Sequence, residues 1–294
     1  MKIQILATGA TGLVGSRFVE MFEDKYEVIN MDLTTGVDIT KPETFKSFFD
    51  KYPDAKTLIH LAAFTDTNKA FAETGDKSGI CYKVNVEGTK NIADICKDRG
   101  IHLIHVSTDF VFDGQQTTPY LEESPQSPIE WYGETKALAE QVVTDSGTSY
   151  SIVRLSYPYR ANFDAKPDLI KKIHAGLESG KLYPQFTDTI ITPTFIDDIA
   201  RAFDKLVELR PQGIFHTVGS DSISPYELAK KISTTYGFDP GLVKEGSLTE
   251  YLSTAARPFA RTVIMSNKKS SDILDLHFAT IDEGLFAIKR QQGL

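Results

Sequence analysis

The chain has 294 residues, 41% hydrophobic and 24% charged, with 32 Lys+Arg against 40 Asp+Glu and a formal net charge of −8. That composition excludes collagen-like and disordered chains, and an acidic balance with no basic run argues against a nucleic-acid partner. Cys81 and Cys96 are too few for a disulfide framework or a four-cysteine zinc site, and no apolar stretch nears the roughly 20 residues that span a bilayer.

The chain opens on an apolar run at 3–7, which the turn Thr8-Gly9-Ala10-Thr11-Gly12 stops too early for a secretory leader. A cytoplasmic enzyme is the expectation. Short apolar runs then alternate with helix-length amphipathic stretches. Strands are predicted at 3–7, 27–31, 57–61, 103–107, 151–155 and 214–218, and helices at 12–24, 41–51, 77–98, 131–144 and 195–208. Such alternation reads as βαβ units in a parallel sheet covered on both faces. The expected fold is therefore α/β, a doubly wound parallel sheet of Rossmann type with a smaller C-terminal lobe.

The alternation weakens after Leu155. Residues 156–191 carry Pro158, Pro167 and Pro184 around one helical stretch at 169–178, and residues 222–294 add helices at 225–235 and 283–290 among loops. The predicted division is a dinucleotide-binding core of 1–155, rejoined by 192–221, and a substrate lobe of 156–191 and 222–294.

Gly9, Gly12 and Gly15 follow the first strand and open a helix, the context that turns a common glycine spacing into a dinucleotide signal. The first glycine serves a tight turn, the second backbone approach to a pyrophosphate, and the third close packing. Thr11, Leu13 and Val14 lie in the same loop and helix start, where free N–H groups face phosphate. Asp32, at the end of the second strand, can accept both ribose hydroxyls and would repel a 2′-phosphate. NAD is the expected cofactor, with NADP the alternative if Arg17 or Lys41 meets that phosphate. Asp38 and Ile39 are candidates for the adenine edge. Leu61, Ala62 and Ala63 end the third strand with small side chains where a cofactor would pass.

Tyr132 and Lys136 are one helical turn apart on one face. An ammonium beside a phenol is expected to lower the phenol pKa, fitting it to exchange a proton with a ketone or alcohol. Thr108, at a strand's carboxyl end, adds a hydroxyl where open α/β sheets bind ligands. The six histidines are dispersed with no metal-ligand spacing, so no metal is expected, and a core or surface role suits them. Asp197 and Asp198 open a helix and favour its dipole.

These residues carry a resemblance. The glycine loop, Thr108 and Tyr132-x-x-x-Lys136 resemble the extended short-chain dehydrogenase/reductases. Within that group, Ser107-Thr108-Asp109-Phe110-Val111-Phe112-Asp113-Gly114 is similar to the STDYVFDG segment of the dTDP-4-dehydrorhamnose reductase family. Tyr132-Gly133-Glu134-Thr135-Lys136 with Glu140, the loop Ala62-Ala63-Phe64-Thr65 with Lys69, Asn85, Pro193-Thr194 and Arg257-Pro258 match further elements of that family. The resemblance implies an NAD(P)H-dependent reductase of a nucleotide-linked 4-keto-sugar, with Thr108, Tyr132 and Lys136 catalytic. It implies Thr65 and Asn85 near the cofactor, and Thr65, Thr108, Asp109, Phe110, Tyr157 and Arg257 near the substrate.

Three departures stand out. Phe110 takes the place of a tyrosine, Tyr157 that of a tryptophan, and Asn68 and Phe71 those of acidic residues. Dehydratases of the superfamily resemble Thr-Asp-Glu where this chain has Thr108-Asp109-Phe110, which argues against elimination. A nucleotide-sugar epimerase, which also uses Tyr and Lys, and a non-catalytic partner resembling the regulatory subunit of methionine adenosyltransferase are the alternatives. Nothing in the chain selects between a monomer and a homo-oligomer.

Overall fold

The computed structural model describes residues 2–163 and 165–294. The first half runs β1 (Ile3–Thr8), α1 (Leu13–Phe22), β2 (Tyr26–Asn30), α2 (Lys46–Lys51), β3 (Thr57–His60), α3 (Thr67–Ala72), α4 (Ile80–Tyr82), α5 (Thr89–Arg99) and β4 (His102–Thr108). A π-helical segment, Lys83–Gly88, joins α4 to α5. Then follow α6 (Trp131–Asp145), β5 (Tyr150–Leu155), β6 (Pro158–Tyr159), α7 (Leu169–Glu178), β7 (Gln185–Phe186), β8 (Thr194–Phe195), α8 (Ile196–Leu209) and β9 (Gly213–His216). The chain ends with α9 (Pro225–Tyr236), β10 (Glu245–Gly246), α10 (Leu248–Leu252), α11 (Lys268–Leu274) and α12 (Ile281–Gln291).

The main sheet has six strands in the order β2-β1-β3-β4-β5-β9, and every pairing is parallel. This is the α/β doubly wound arrangement expected from the alternation. Chain progress reverses between β1 and β3, so the carboxyl ends of those strands frame the crevice where such sheets bind ligands. Side chains alternate between two buried faces. Ile5, with Phe18, Phe203 and Phe215, packs beneath α1 and α8. Its neighbour Leu6 points to the other face, with Phe45, Ile92, Leu103 and Val143 under α2, α5 and α6.

A third cluster, containing Tyr159, Ile173, Phe195, Ile232 and Leu285, joins β6, α7, β8, α9 and α12. Two-stranded parallel pairings, β6 with β8 and β7 with β10, edge this region. Leu274 and Phe278 pack instead with the main-sheet cluster, so part of the 222–294 segment covers the sheet.

Several elements differ from their predicted form. The helix expected at 41–51 is a 3₁₀ turn at Pro42–Thr44 followed by α2, interrupted at Phe45 (φ −123°). Segments read as loops contain α10 and α11. Ser270 and Ser271 favour local hydrogen bonding over helix, and α11 forms by burying Ser270 and Leu274. Asp197 and Asp198 do more than favour a dipole. Asp197 accepts two hydrogen bonds from Arg17 on α1 at 2.6 and 2.8 Å, and Asp198 accepts from the Ala279 N–H at 2.7 Å. His60 is a core group between Thr8 and Thr89, and burial lowers its pKa to about 3. Among the described residues, no helix is long and apolar enough to cross a membrane.

Candidate active site

The turn after β1 is built by its glycines. Gly9 has φ +68°, and a Cβ there would sit 2.8 Å from the Ala62 backbone nitrogen. At Gly15 a Cβ would sit 2.7 Å from the Gly9 carbonyl oxygen. Both are demands of internal packing. Gly12 is different: a Cβ there would meet only the Gly9 carbonyl oxygen, at 3.3 Å. Helix α1 begins at this point with Leu13, Val14 and Gly15, and no side chain caps it. Open space beside uncapped N–H groups fits a dinucleotide's pyrophosphate.

Thr11 donates to Asp32 Oδ2 at 3.0 Å, while Asp32 Oδ1 accepts from the Thr34 N–H at 2.9 Å. Burial opposes ionisation of Asp32, but hydrogen bonds from Thr34, Asn30 and Thr11 outweigh it and hold its pKa below the ordinary value. An anion therefore sits against the glycine loop. Asp38 and Ile39, the adenine-edge candidates, are placed by local contacts. Asp38 accepts from Thr40 and pairs with Lys41 at 3.1 Å, while the Ile39 side chain is buried in the core against Gly88.

Leu61, Ala62 and Ala63 leave β3 half-buried on the far side of the crevice. The loop is held by Asn85, whose Oδ1 accepts from the Phe64 N–H at 2.8 Å and whose Nδ2 donates to Thr135 on α6 at 3.0 Å. These bonds engage Asn85 with protein and make it a brace between loop and helix. Its π-helical setting is a geometry often found at functional sites. Thr65, exposed at the tip, accepts from Lys166 Nζ at 3.2 Å, so Lys166 reaches the loop that follows β3.

Helix α6 carries Tyr132 and Lys136 against the end of β4. A side chain at position 133 would collide with the Phe110 carbonyl, so Gly133 permits the close approach. Glu130 caps the helix by accepting from the Gly133 N–H at 2.9 Å. Tyr132 and Lys136 are both buried, and the Tyr132 ring meets Phe110 edge-on at 5.4 Å. The structure reverses one expectation. Burial raises the phenol pKa, as does the negative charge of Asp109, while Thr108 opposes the shift. Lys136 instead donates to the Val106 carbonyl at 2.7 Å, and burial lowers its own pKa to about 8. Tyr132 thus keeps its proton at neutral pH, the state of a proton donor.

Beside these residues lies a pocket whose walls include Asp109, Phe110, Glu130, Tyr157, Pro258 and Phe259. Tyr157 adopts φ +40°, a strained value for a bulky residue before proline. Arg257 lies 3.6 Å from Glu130 and 4.0 Å above the Phe259 ring. Glu130 Oε2 and Arg257 Nε and Nη1 are buried without hydrogen-bond partners, an arrangement suited to a polar ligand.

Residue patterns missed the supporting roles of Ser156 and Arg160, and marked Glu140 only as part of the helix motif. Glu140, one turn beyond Lys136, accepts from Arg154 Nε at 2.9 Å and Nη2 at 2.7 Å, and from Ser107 and Gln126 at 2.5 Å. Ser156 donates to Asp109 Oδ2 at 2.8 Å. Arg160 joins the second region to α1 through the Leu13 carbonyl, Ser16 and Glu20. Arg154 within the apolar run 151–155 was a usable signal, because a charge inside an apolar strand needs a buried partner.

The family described as the RmlD substrate binding domain matches residues 1–291. A probable low-salt glycan biosynthesis reductase of Haloferax volcanii is 30% identical over 297 residues, covering 96% of each chain. The dTDP-4-keto-6-deoxy-D-glucose reductase of Streptomyces niveus is 31% identical over 246 residues, 81% of each chain. Among solved structures, the dTDP-4-dehydrorhamnose reductase of Bacillus anthracis in complex with NADP superposes with a TM-score of 0.89 at 26% identity. That match covers 99% of this chain and 100% of the other.

Proposed function

The chain belongs to the RmlD substrate binding domain family, and from that membership we propose that it is an NAD(P)H-dependent reductase of a nucleotide-linked 4-keto-sugar. One observation carries this reading. Thr108, Tyr132 and Lys136 meet at the carboxyl end of the sheet, between the glycine loop and a pocket with unpartnered polar groups. The S. niveus and B. anthracis proteins are reductases of dTDP-linked keto-sugars by name, and the substrate class follows theirs.

The cofactor would lie with its pyrophosphate over Gly12, Leu13 and Val14, its adenosine ribose near Asp32, and its nicotinamide end beside Ala62, Ala63, Tyr132 and Lys136. When bound, the nicotinamide supplies the hydride that adds to the carbonyl carbon. Tyr132 donates its phenolic proton to the carbonyl oxygen as that oxygen gains charge. Thr108 holds the same oxygen, and Lys136 steadies the end of β4 through the Val106 carbonyl. The pocket between Tyr157 and Pro258–Phe259 receives the sugar nucleotide, with Arg257 placed for a phosphate. We assign this binding to a lobe made of residues 156–191 and the part of 222–294 that packs away from the main sheet. The core is 1–155 with 192–221.

Two measurements test the reading. NADH and NADPH oxidation, followed with a panel of nucleotide-linked 4-keto-sugars, is expected to show turnover with at least one sugar. No turnover across the panel, with cofactor binding intact, would favour a binding role. Calorimetry is expected to give tighter binding of NADH than NADPH, because the Asp32 anion opposes a 2′-phosphate. Gly12→Val should fold, since its branch meets little protein, and lose binding of both cofactors. A folded variant with unchanged affinity removes the pyrophosphate from this loop.

A further inference from the structure

A hydroxyl has one proton, and the hydroxyl of Thr108 is already engaged. Its oxygen accepts from the Phe110 N–H at 3.3 Å, and it donates to Asp109 Oδ1 at 2.9 Å. While Asp109 is a carboxylate, it takes that proton and also the one from Ser156, at 2.8 Å on Oδ2. Thr108 then has nothing to donate to a substrate carbonyl. Protonation of Asp109 on Oδ1 reverses the bond: the acid donates to Thr108, and the threonine proton is free to turn toward the pocket.

We propose that Asp109 is a positioning residue that sets the direction of the Thr108 hydrogen bond, so that its neutral form frees the threonine proton for the reacting oxygen and its anion withdraws it. This rests on the reductase reading above. Asp109 is 5% exposed and lines the pocket beside Thr108. The groups facing it are Tyr132 on α6, Tyr157 beyond β5, and Thr108 and Ser156. Glu130 lines the same pocket, and Arg257 lies 3.6 Å from it. Cationic compensation is thus taken up by Glu130 before it reaches Asp109. Burial raises Asp109 to about 6, against the two hydroxyl donors that favour the anion. The switch falls within the range where an enzyme operates.

The sign follows directly. As pH rises through about 6, Asp109 ionises, recaptures the Thr108 proton, and the reduction rate falls. Asp109→Asn has the same shape but does not titrate. It is expected to abolish this limb of the reduction profile and leave only the change near pH 8 that belongs to Lys136. Ser156→Ala removes one donor from the carboxylate and should move the limb about one unit upward.

Infrared difference spectroscopy tests the relation without substrate. The wild-type protein should show a protonated carboxyl band that fades as pH rises through about 6, is missing in Asp109→Asn, and persists to higher pH in Ser156→Ala and Thr108→Val. A rate limb near pH 6 that survives in Asp109→Asn, or a band unmoved by loss of either hydroxyl, overturns the proposal. If the band behaves as stated but no keto-sugar is reduced, the reductase reading fails and the hydrogen-bond relation stands.

Discussion

Replacing Tyr132 with Phe is expected to lower turnover by about 10²–10⁴-fold, the usual contribution of a positioned general acid, with cofactor affinity nearly unchanged. The substitution keeps the aromatic ring, its edge-on contact with Phe110, and the Gly133 approach that seats α6 on β4. It removes only the hydroxyl. Burial and Asp109 hold the proton on that oxygen through neutral pH, so the residue waits as a donor until the carbonyl oxygen acquires charge. Neither Thr108 nor Lys136 supplies an equal substitute. The first is a plain hydroxyl that holds the oxygen without giving up its proton, and the second points to the Val106 carbonyl. Single-turnover kinetics with saturating cofactor measure the effect. Wild-type turnover in the variant would remove Tyr132 from the mechanism.

Arg154→Met is expected to destabilise the fold by about 3–5 kcal/mol, the cost of leaving a buried charge without its partner. Arg154 and Glu140 are 1% and 2% exposed. The guanidinium occupies both carboxylate oxygens, and its Nη1 also donates to the Glu122 carbonyl at 3.2 Å. Without it, Glu140 keeps only the Ser107 and Gln126 bonds in an apolar setting. The loss is a large share of the roughly 5–15 kcal/mol that stabilises a typical domain. The double substitution Arg154→Met with Glu140→Leu should regain much of it, since replacing both charges leaves none buried. Urea midpoints followed through Trp131, the single tryptophan, measure both. A single variant as stable as the wild type would show that water reaches Glu140.

The parts legible in the sequence were those encoded locally. Alternating apolar runs marked all six strands of the main sheet, because a buried parallel strand must be apolar on both faces. The glycine loop and Tyr132–Lys136 were visible because turn chemistry and helical spacing bring each group together over a few residues. The remainder depends on partners far along the chain. Ile39 packs on Gly88, and Asn85 bonds to Phe64 and Thr135, contacts that no local pattern announces. The phenol shift of Tyr132 could not be read from its lysine, since burial and Asp109 outweigh that spacing. Helix α3 did carry a local signal. Asp66 caps it by accepting from the Lys69 N–H at 3.0 Å, an acidic residue just ahead of a short helix.

The docking of α8 on α1 has a consequence for how the molecule is made. Arg17 meets Asp197 across 180 residues of chain, Lys25 and Tyr26 meet Asp204, and Phe18 packs edge-on against Phe203 at 6.0 Å. At a synthesis rate of about 5–20 residues per second, the first helix leaves the ribosome on the order of 10–40 s before its covering helix. During that interval Phe18 has only its near neighbours Phe22 and Tyr26, and the outer side of this layer waits for Phe203. A chain halted after β5 would keep its glycine loop, Thr108, Tyr132 and Lys136, yet lack the α8 cover on one face of its sheet. For the same reason residues 1–155 are not a module that can be cut free: their completion waits on residues translated after 156–191 have emerged.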